Sequence, residues 1–174
     1  FIMAGSNFAS SSMLGVDLQN ASTTQLFALN TKVLGTNDSE WHYVLATAQL
    51  ATGQFVQIFA NGTAAILTTA FLGGAGADGT TGMLDLGVAQ YQVAAGSYAF
   101  VAKKGNNMYL RCSGTVPPGG IGFEASGTLV TGLLVAVGLT ALGVMIYASA
   151  STAGVSVTSG MLSYPRALTT VPPL

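Results

Sequence analysis

The sequence predicts an all-β fold, a β-sandwich or β-barrel-like module, with an extended N-terminal arm and a C-terminal tail. Three observations carry that expectation. Short runs alternate their side chains with a period of two, as strands with two distinct faces require. Turn signals built from Gly, Asn and Asp recur about every 8–12 residues, the spacing of a sandwich or barrel. No stretch shows the 3.6-residue periodicity of an amphipathic helix.

Residues 1–30 are rich in Ser, Ala, Asn, Thr and Gln with scattered Leu, Phe and Met, and read as an arm. Residues 31–163 are the β-rich domain. Within it, Trp41, Tyr43 and Leu45 alternate with His42, Val44 and Ala46, a strand that Asp38 and Glu40 introduce by capping a turn. Residues 54–60 (QFVQIFA) are dense in β formers and lead into Asn61-Gly62, a two-residue hairpin turn whose favoured form needs positive φ at both positions. Ala64–Thr68 is the return strand. Residues 72–82 form a glycine-rich loop, and 97–102 with 108–112 make a further hairpin around Lys103–Asn107. The last short strand holds Val155 and Val157, between Gly154 and Gly160. From Tyr164 to Leu174 the prolines impose an extended tail.

The uncharged run 131–148 (TGLLVAVGLTALGVMIYA) is long enough to raise the question of a membrane-spanning helix. Its side chains alternate in size from Leu133 to Leu139, and the phase flips after Thr140 and Ala141, so that Leu142, Val144 and Ile146 share a face. That pattern predicts two successive strands. Its flanks carry no Trp or Lys anchor, and the nearest basic residues are Arg111 and Arg166. These strands are expected to line the core or a subunit interface.

Composition limits function. Half of the 174 residues are apolar and 6% are charged, against about 25% in an ordinary soluble domain. Such a chain either dissolves in lipid or covers its surface with protein neighbours, and the strand pattern favours the second. A net charge of −1, with Lys103-Lys104 the one adjacent basic pair, gives no footprint for nucleic acid. Cys112, the sole cysteine, is expected to be a buried small hydrophobe. The N-terminus lacks the features of a secretory signal, and because Phe1-Ile2 precede Met3 a short piece is expected upstream.

Chemistry is sparse. His42 is the single histidine, so a triad or histidine metal site would have to grow around it alone, and a structural role is expected. The six acids are scattered through expected turns, with Asp38 and Glu40 the one close pair. The glycine-rich loop lacks the Lys-Ser/Thr ending and the following helix of a phosphate cradle. Asn61-Gly62-Thr63 is a glycosylation sequon that the hairpin turn already explains. No enzymatic activity, cofactor, metal or small-molecule substrate is expected.

Residues 34–69 resemble tailed-bacteriophage head decoration (cement) proteins. The resemblance rests on Trp-x-Tyr-Val at 41–44, a glycine-flanked strand, and a hairpin ending in Ala-x-Leu-Thr at 65–68. It continues through LGVA at 86–89, AGSYAFV at 95–101 and TGLLV at 131–135, in the expected order, and covers about 34–160. The first 30 residues have no counterpart in that pattern. The resemblance implies a β-rich module on the outer surface of a virion. Such modules commonly form homotrimers that clamp neighbouring major capsid subunits, with no part for nucleic acid or membrane.

Either terminus is then expected to contact the capsid lattice or neighbouring copies. Phe1, Ile2, Met3, Phe8, Met13 and Leu14 are the candidate contacts in the arm, and Tyr164, Pro165 and Arg166 those in the tail. Such arms bind by adding a strand to an exposed sheet edge, and avidity across a lattice multiplies modest single-site affinity. The competing expectations are a fibre knob or adhesin and, less favoured, a small membrane protein.

Overall fold

The computed structural model describes residues 17–35, 38–67, 84–113, 122–123, 134–135, 139–146 and 155–167. These hold ten strands and no helix, so the all-β expectation is met, and of the two architectures it is the barrel. The strands are β1 (Lys32–Leu34), β2 (Glu40–Ala46), β3 (Phe55–Ile58), β4 (Thr63–Ile66), β5 (Leu84–Val88), β6 (Tyr98–Ser113), β7 (Gly122–Phe123), β8 (Leu134–Val135), β9 (Leu139–Ile146) and β10 (Val155–Ala167). Five of them close a ring in the order β2-β4-β3-β5-β6, with β6 returning to β2. The β2–β4 pair is parallel and the other four pairs are antiparallel.

Side-chain alternation sorts the ring into an inside and an outside. Val44 and Ala46 of β2, Val56 and Ile58 of β3, Ala64 of β4, and Ala99 and Val101 of β6 form one buried cluster with Ala89, Leu50 and Val93. Drawn from the ring all round and made of small aliphatics, this set fills the narrow interior of a five-stranded barrel. Gly87 of β5 shares that interior, since a Cβ on it would meet Val101 and Ile58. The alternate residues form a second, aromatic-rich cluster on the outer wall: Trp41, Tyr43, Phe55, Leu86, Val88 and Phe100, continuing to Met108, Leu110 and Cys112. Because both faces of β2 are covered, its burial is almost continuous rather than alternating.

The cover over that outer wall comes partly from 17–30, which the sequence reads as arm. Leu18 is buried in the outer cluster and Phe27 and Leu29 pack on it. The Phe27 ring meets Tyr43 edge-on at 5.2 Å, and the Leu26 N–H donates to the Tyr43 hydroxyl at 3.0 Å. Ser22 bridges Tyr98 through two main-chain hydrogen bonds. From Asp17 onward the chain is therefore part of the barrel's packing.

Three local expectations are corrected. The hairpin expected at 97–112 is a single 16-residue strand, β6. Lys103–Asn107 do not reverse the chain; they bend it, with Gly105 at φ 147° and Asn107 at φ 57°, where β6 leaves β2 and continues along β10. The Asn61-Gly62 turn is longer than two residues: the Gly62 N–H donates to the Phe59 carbonyl, and only Gly62 of the pair has positive φ, 81°. A side chain at Gly62 would collide with Leu29, and Asn61 Oδ1 accepts from both the N–H and the hydroxyl of Thr63. Finally, β9 runs unbroken through Thr140 and Ala141, where the sequence pattern predicts the junction of two strands. The phase flip in the sequence marks a change of partner, from β7 at Leu139–Thr140 to β10 from Ala141.

The last strand is also longer than expected, since β10 continues through Tyr164, Pro165 and Arg166. Main-chain pairing to β5 and β9 holds this end despite the proline. No helix among the described residues is long and apolar enough to cross a membrane.

Candidate functional site

The interior-facing parity of the barrel strands changes chemistry at one mouth. On β2 the inward series Ala46, Val44 continues to His42 and Glu40, and on β5 the series Ala89, Gly87 continues to Asp85. Lys32 of β1 lies opposite His42 and so shares its face. On β6 the inward series Ala99, Val101 continues to Lys103, beside a β-bulge where Trp41 pairs Ala102 and Glu40 pairs Lys104. Tyr164 reaches in from β10. These six residues line a cleft of about 360 Å³. A recess of about 390 Å³ shares Lys32, His42 and Asp85 and continues toward Ile58, Phe59 and Asn30.

Each charge in the cleft has an opposite partner. The Lys103 ammonium is 2% exposed, pairs with Asp85 and donates to the Leu86 carbonyl at 2.6 Å. Glu40 is the hub. One oxygen lies 2.9 Å from His42 Nε2 and 3.9 Å from the Lys32 ammonium, and the other accepts from the Tyr164 hydroxyl at 2.8 Å. On the rim Lys104 pairs with Asp38, a residue in the left-handed region at φ 58°. Burial disfavours the Glu40 carboxylate, but hydrogen bonds from His42 and Tyr164 outweigh it and hold the group below its ordinary range. Burial pushes His42 down, and the Lys103 and Lys32 charges add to that against the pull of Glu40. His42 is therefore neutral at neutral pH, and three lysines balance three acids.

Six of the eleven charged residues of the chain meet here. Sequence reading separated them because they come from four strands and a loop; the usable hint was a sole histidine beside a glutamate two residues away, both on one strand face. With its charges internally paired, the cleft stabilises the mouth and projects little net field. Among the described residues no group of three or more His, Cys, Asp or Glu is placed to hold a metal ion. Cys112 is fully buried, and burial pushes its thiol up to about 11, so it serves as a hydrophobe.

A second surface stands out on the ribbon that β6 and β10 form beyond the barrel. Directly opposed residues of antiparallel strands share a face. Val157 opposes Arg111 and Ser159 opposes Tyr109 on the outer face, while Thr158 opposes Leu110 and Ser156 opposes Cys112 on the buried one. The outer face continues through Met161 to Met145 of β9. Along it Val155 is 51% exposed, Val157 47%, Tyr109 47% and Met145 40%. Arg111 is the one charged residue in these outer positions of the ribbon. These four large apolar side chains stand together on one open face of the sheet. The ribbon itself is rigid because the Gln90 amide bonds both the N–H and the carbonyl of Tyr109, and the Arg111 N–H donates to the Gly53 carbonyl.

Of the residues expected to make contacts, Tyr164 is turned onto the barrel mouth, Pro165 is buried, and Arg166 sits in the ladder opposite Asp85 and Leu142. Phe1, Ile2, Met3, Phe8, Met13 and Leu14 lie outside the described residues, as does the 72–82 loop. The sequence places Val155 and Val157 on a short strand and Tyr109 on the return arm of a hairpin, so it gives no sign that they share a face. No family model matches this chain, and no curated protein or solved structure matches it.

Proposed function

We propose that this chain is a structural virion protein, a capsid decoration module that sits on the outer surface of the major capsid lattice and stabilises the shell. The observation that carries this reading is the apolar outer face of the β6–β10 ribbon, Tyr109, Val155, Val157 and Met145, on a barrel whose mouth charges are paired among themselves. A surface of that kind binds by burial and shape, with little electrostatic steering. A decoration module needs nothing more, because many copies on one lattice multiply a modest affinity. Cyclic homo-oligomers, trimers in this reading, would cover part of the apolar surface and explain how so few charges suffice.

Quantitative mass spectrometry of purified particles tests the proposal. Hundreds of copies per particle fit a shell component, whereas a handful would assign the chain to a fibre and end this reading. Because the cleft is self-neutralised, retention on expanded capsids should survive high salt, and loss of most of the bound protein between about 0.1 and 1 M salt would count against an apolar interface.

A further inference from the structure

Glu40 ties together elements far apart in the chain. It stands on β2, pairs with Lys32 of β1, and accepts from Tyr164 of β10, 124 residues away. The stretch of β10 it holds is the weak point of that strand. The ladder to β6 ends at Ser163 opposite Lys104, and the ladder to β5 is two rungs, Arg166 with Asp85 and Ala167 with Leu84. Between them lie Tyr164 and Pro165, and the pairing with β9 shifts register over the same span. Tyr164 is left-handed at φ 52°, a conformation a bulky side chain adopts only where its surroundings enforce it. Its hydroxyl bond to Glu40 is one of those enforcing contacts.

We propose that Glu40 is an acid-sensitive latch that holds the Tyr164–Ala167 end of β10 across the barrel mouth, so that acidification frees this end and uncovers the β5 edge at Leu84–Asp85. The groups facing Glu40 are His42 on its own strand, Lys32 on β1, Asp85 on β5, Lys103 and Lys104 on β6, Tyr164 on β10, and Asp38 in the preceding loop. At neutral pH Lys32 and Lys103 face Glu40 and Asp85 around a neutral His42. In acid His42 gains a proton and Glu40 loses its charge, so Lys32, Lys103 and His42 crowd a half-buried mouth that has lost its hub carboxylate, where charges interact strongly. The Tyr164 hydroxyl then bonds a neutral acid, a weaker acceptor than the carboxylate, and the strained backbone at Tyr164 is released. A freed strand end and an opened two-rung edge are the parts from which strand exchange with a second copy is built.

Hydrogen exchange read by mass spectrometry on the full chain, corrected for intrinsic rates, tests this at about pH 7.5 and about pH 3, where a carboxyl held below its ordinary range is protonated. The expected result is a fall of about tenfold or more in protection of peptides covering 84–86 and 164–167, with the β2–β6 ladder at 41–45 and 98–102 unchanged. Glu40→Gln should show the low protection already at the higher pH and little further change in acid. Tyr164→Phe, a milder variant, should lower protection selectively at 84–86. Equal protection of wild-type 84–86 at the two pH values, an undiminished pH response in Glu40→Gln, or a uniform loss over all strands would each overturn the latch.

Discussion

Two apolar surfaces of this chain, the barrel interior and the outer face of the β6–β10 ribbon, both draw on valine and meet opposite surroundings. The interior set of Val, Ala, Ile and Leu is fully covered by the ring that supplies it. On the ribbon, Val155, Val157, Tyr109 and Met145 face outward while their neighbours Leu110 and Cys112 are sealed against the barrel wall. One strand thus carries a covered face and an open face, one residue apart. Residue type does not separate them; closure of the ring does, because a strand in a closed barrel has a covered side whatever its sequence, and beyond the barrel one side is left open.

The largest expected effect lies on the sealed side. Phe100→Ala removes a ring that contacts Phe27 and Tyr43 and should cost about 4 kcal/mol in chemical denaturation. Next comes Gly160→Ala, where β9 crosses so closely that a methyl group would strike the Met145 carbonyl oxygen and the Leu110 side chain. A loss of about 2 kcal/mol is expected there, with the damage confined to the β9–β10 pairing.

Acid should act on the mouth that joins the two regions. His42 and Glu40 both bind protons less readily in the folded chain than in the unfolded one. For each, the stabilising contribution is present above the unfolded pKa and lost as pH falls toward the folded one. Stability should decline first below the ordinary imidazole value of 6.5 and again below the ordinary carboxyl value of 4.5. In Glu40→Gln the second step should vanish; thermal melts across pH check both.

Lys103→Met sharpens the question of what a buried charge contributes. Asp85 is 55% exposed and stays hydrated without its partner, so the change should stay within about 1 kcal/mol of wild type in either direction. A loss several times larger would mean that the Leu86 carbonyl depends on the ammonium. The smallest stability effect belongs to the open face. Val157→Asp should shift stability by less than about 0.5 kcal/mol yet lower retention on capsids at least about tenfold. Unchanged retention would dissolve the distinction between the two surfaces and remove the ribbon from the proposed interface.

Much of the fold was legible before any coordinates. The alternation in Trp41–Ala46 and the β formers of 54–60 are local, and local pattern is enough to place a strand. Errors arose where a local signal had a non-local cause. Lys103–Asn107 carries the composition of a turn, but the chain only bends there because β2 and β10 pair with β6 on either side of the bend. The phase flip at Thr140–Ala141 looks like a break and is instead a change of partner.

The sequence by itself determined the class: period-two patterning with frequent turns and no helical periodicity admits an all-β chain, because the period of a pattern is set by local backbone geometry. Only the tertiary structure decided which residues meet. Lys32, Glu40, His42, Asp85, Lys103 and Tyr164 span more than a hundred positions, and each is unremarkable where it stands. Closing the ring brought four of its strand positions to one mouth, Lys103 among them. The period of a strand says which residues share a face, and the order in which strands pair says whose faces meet.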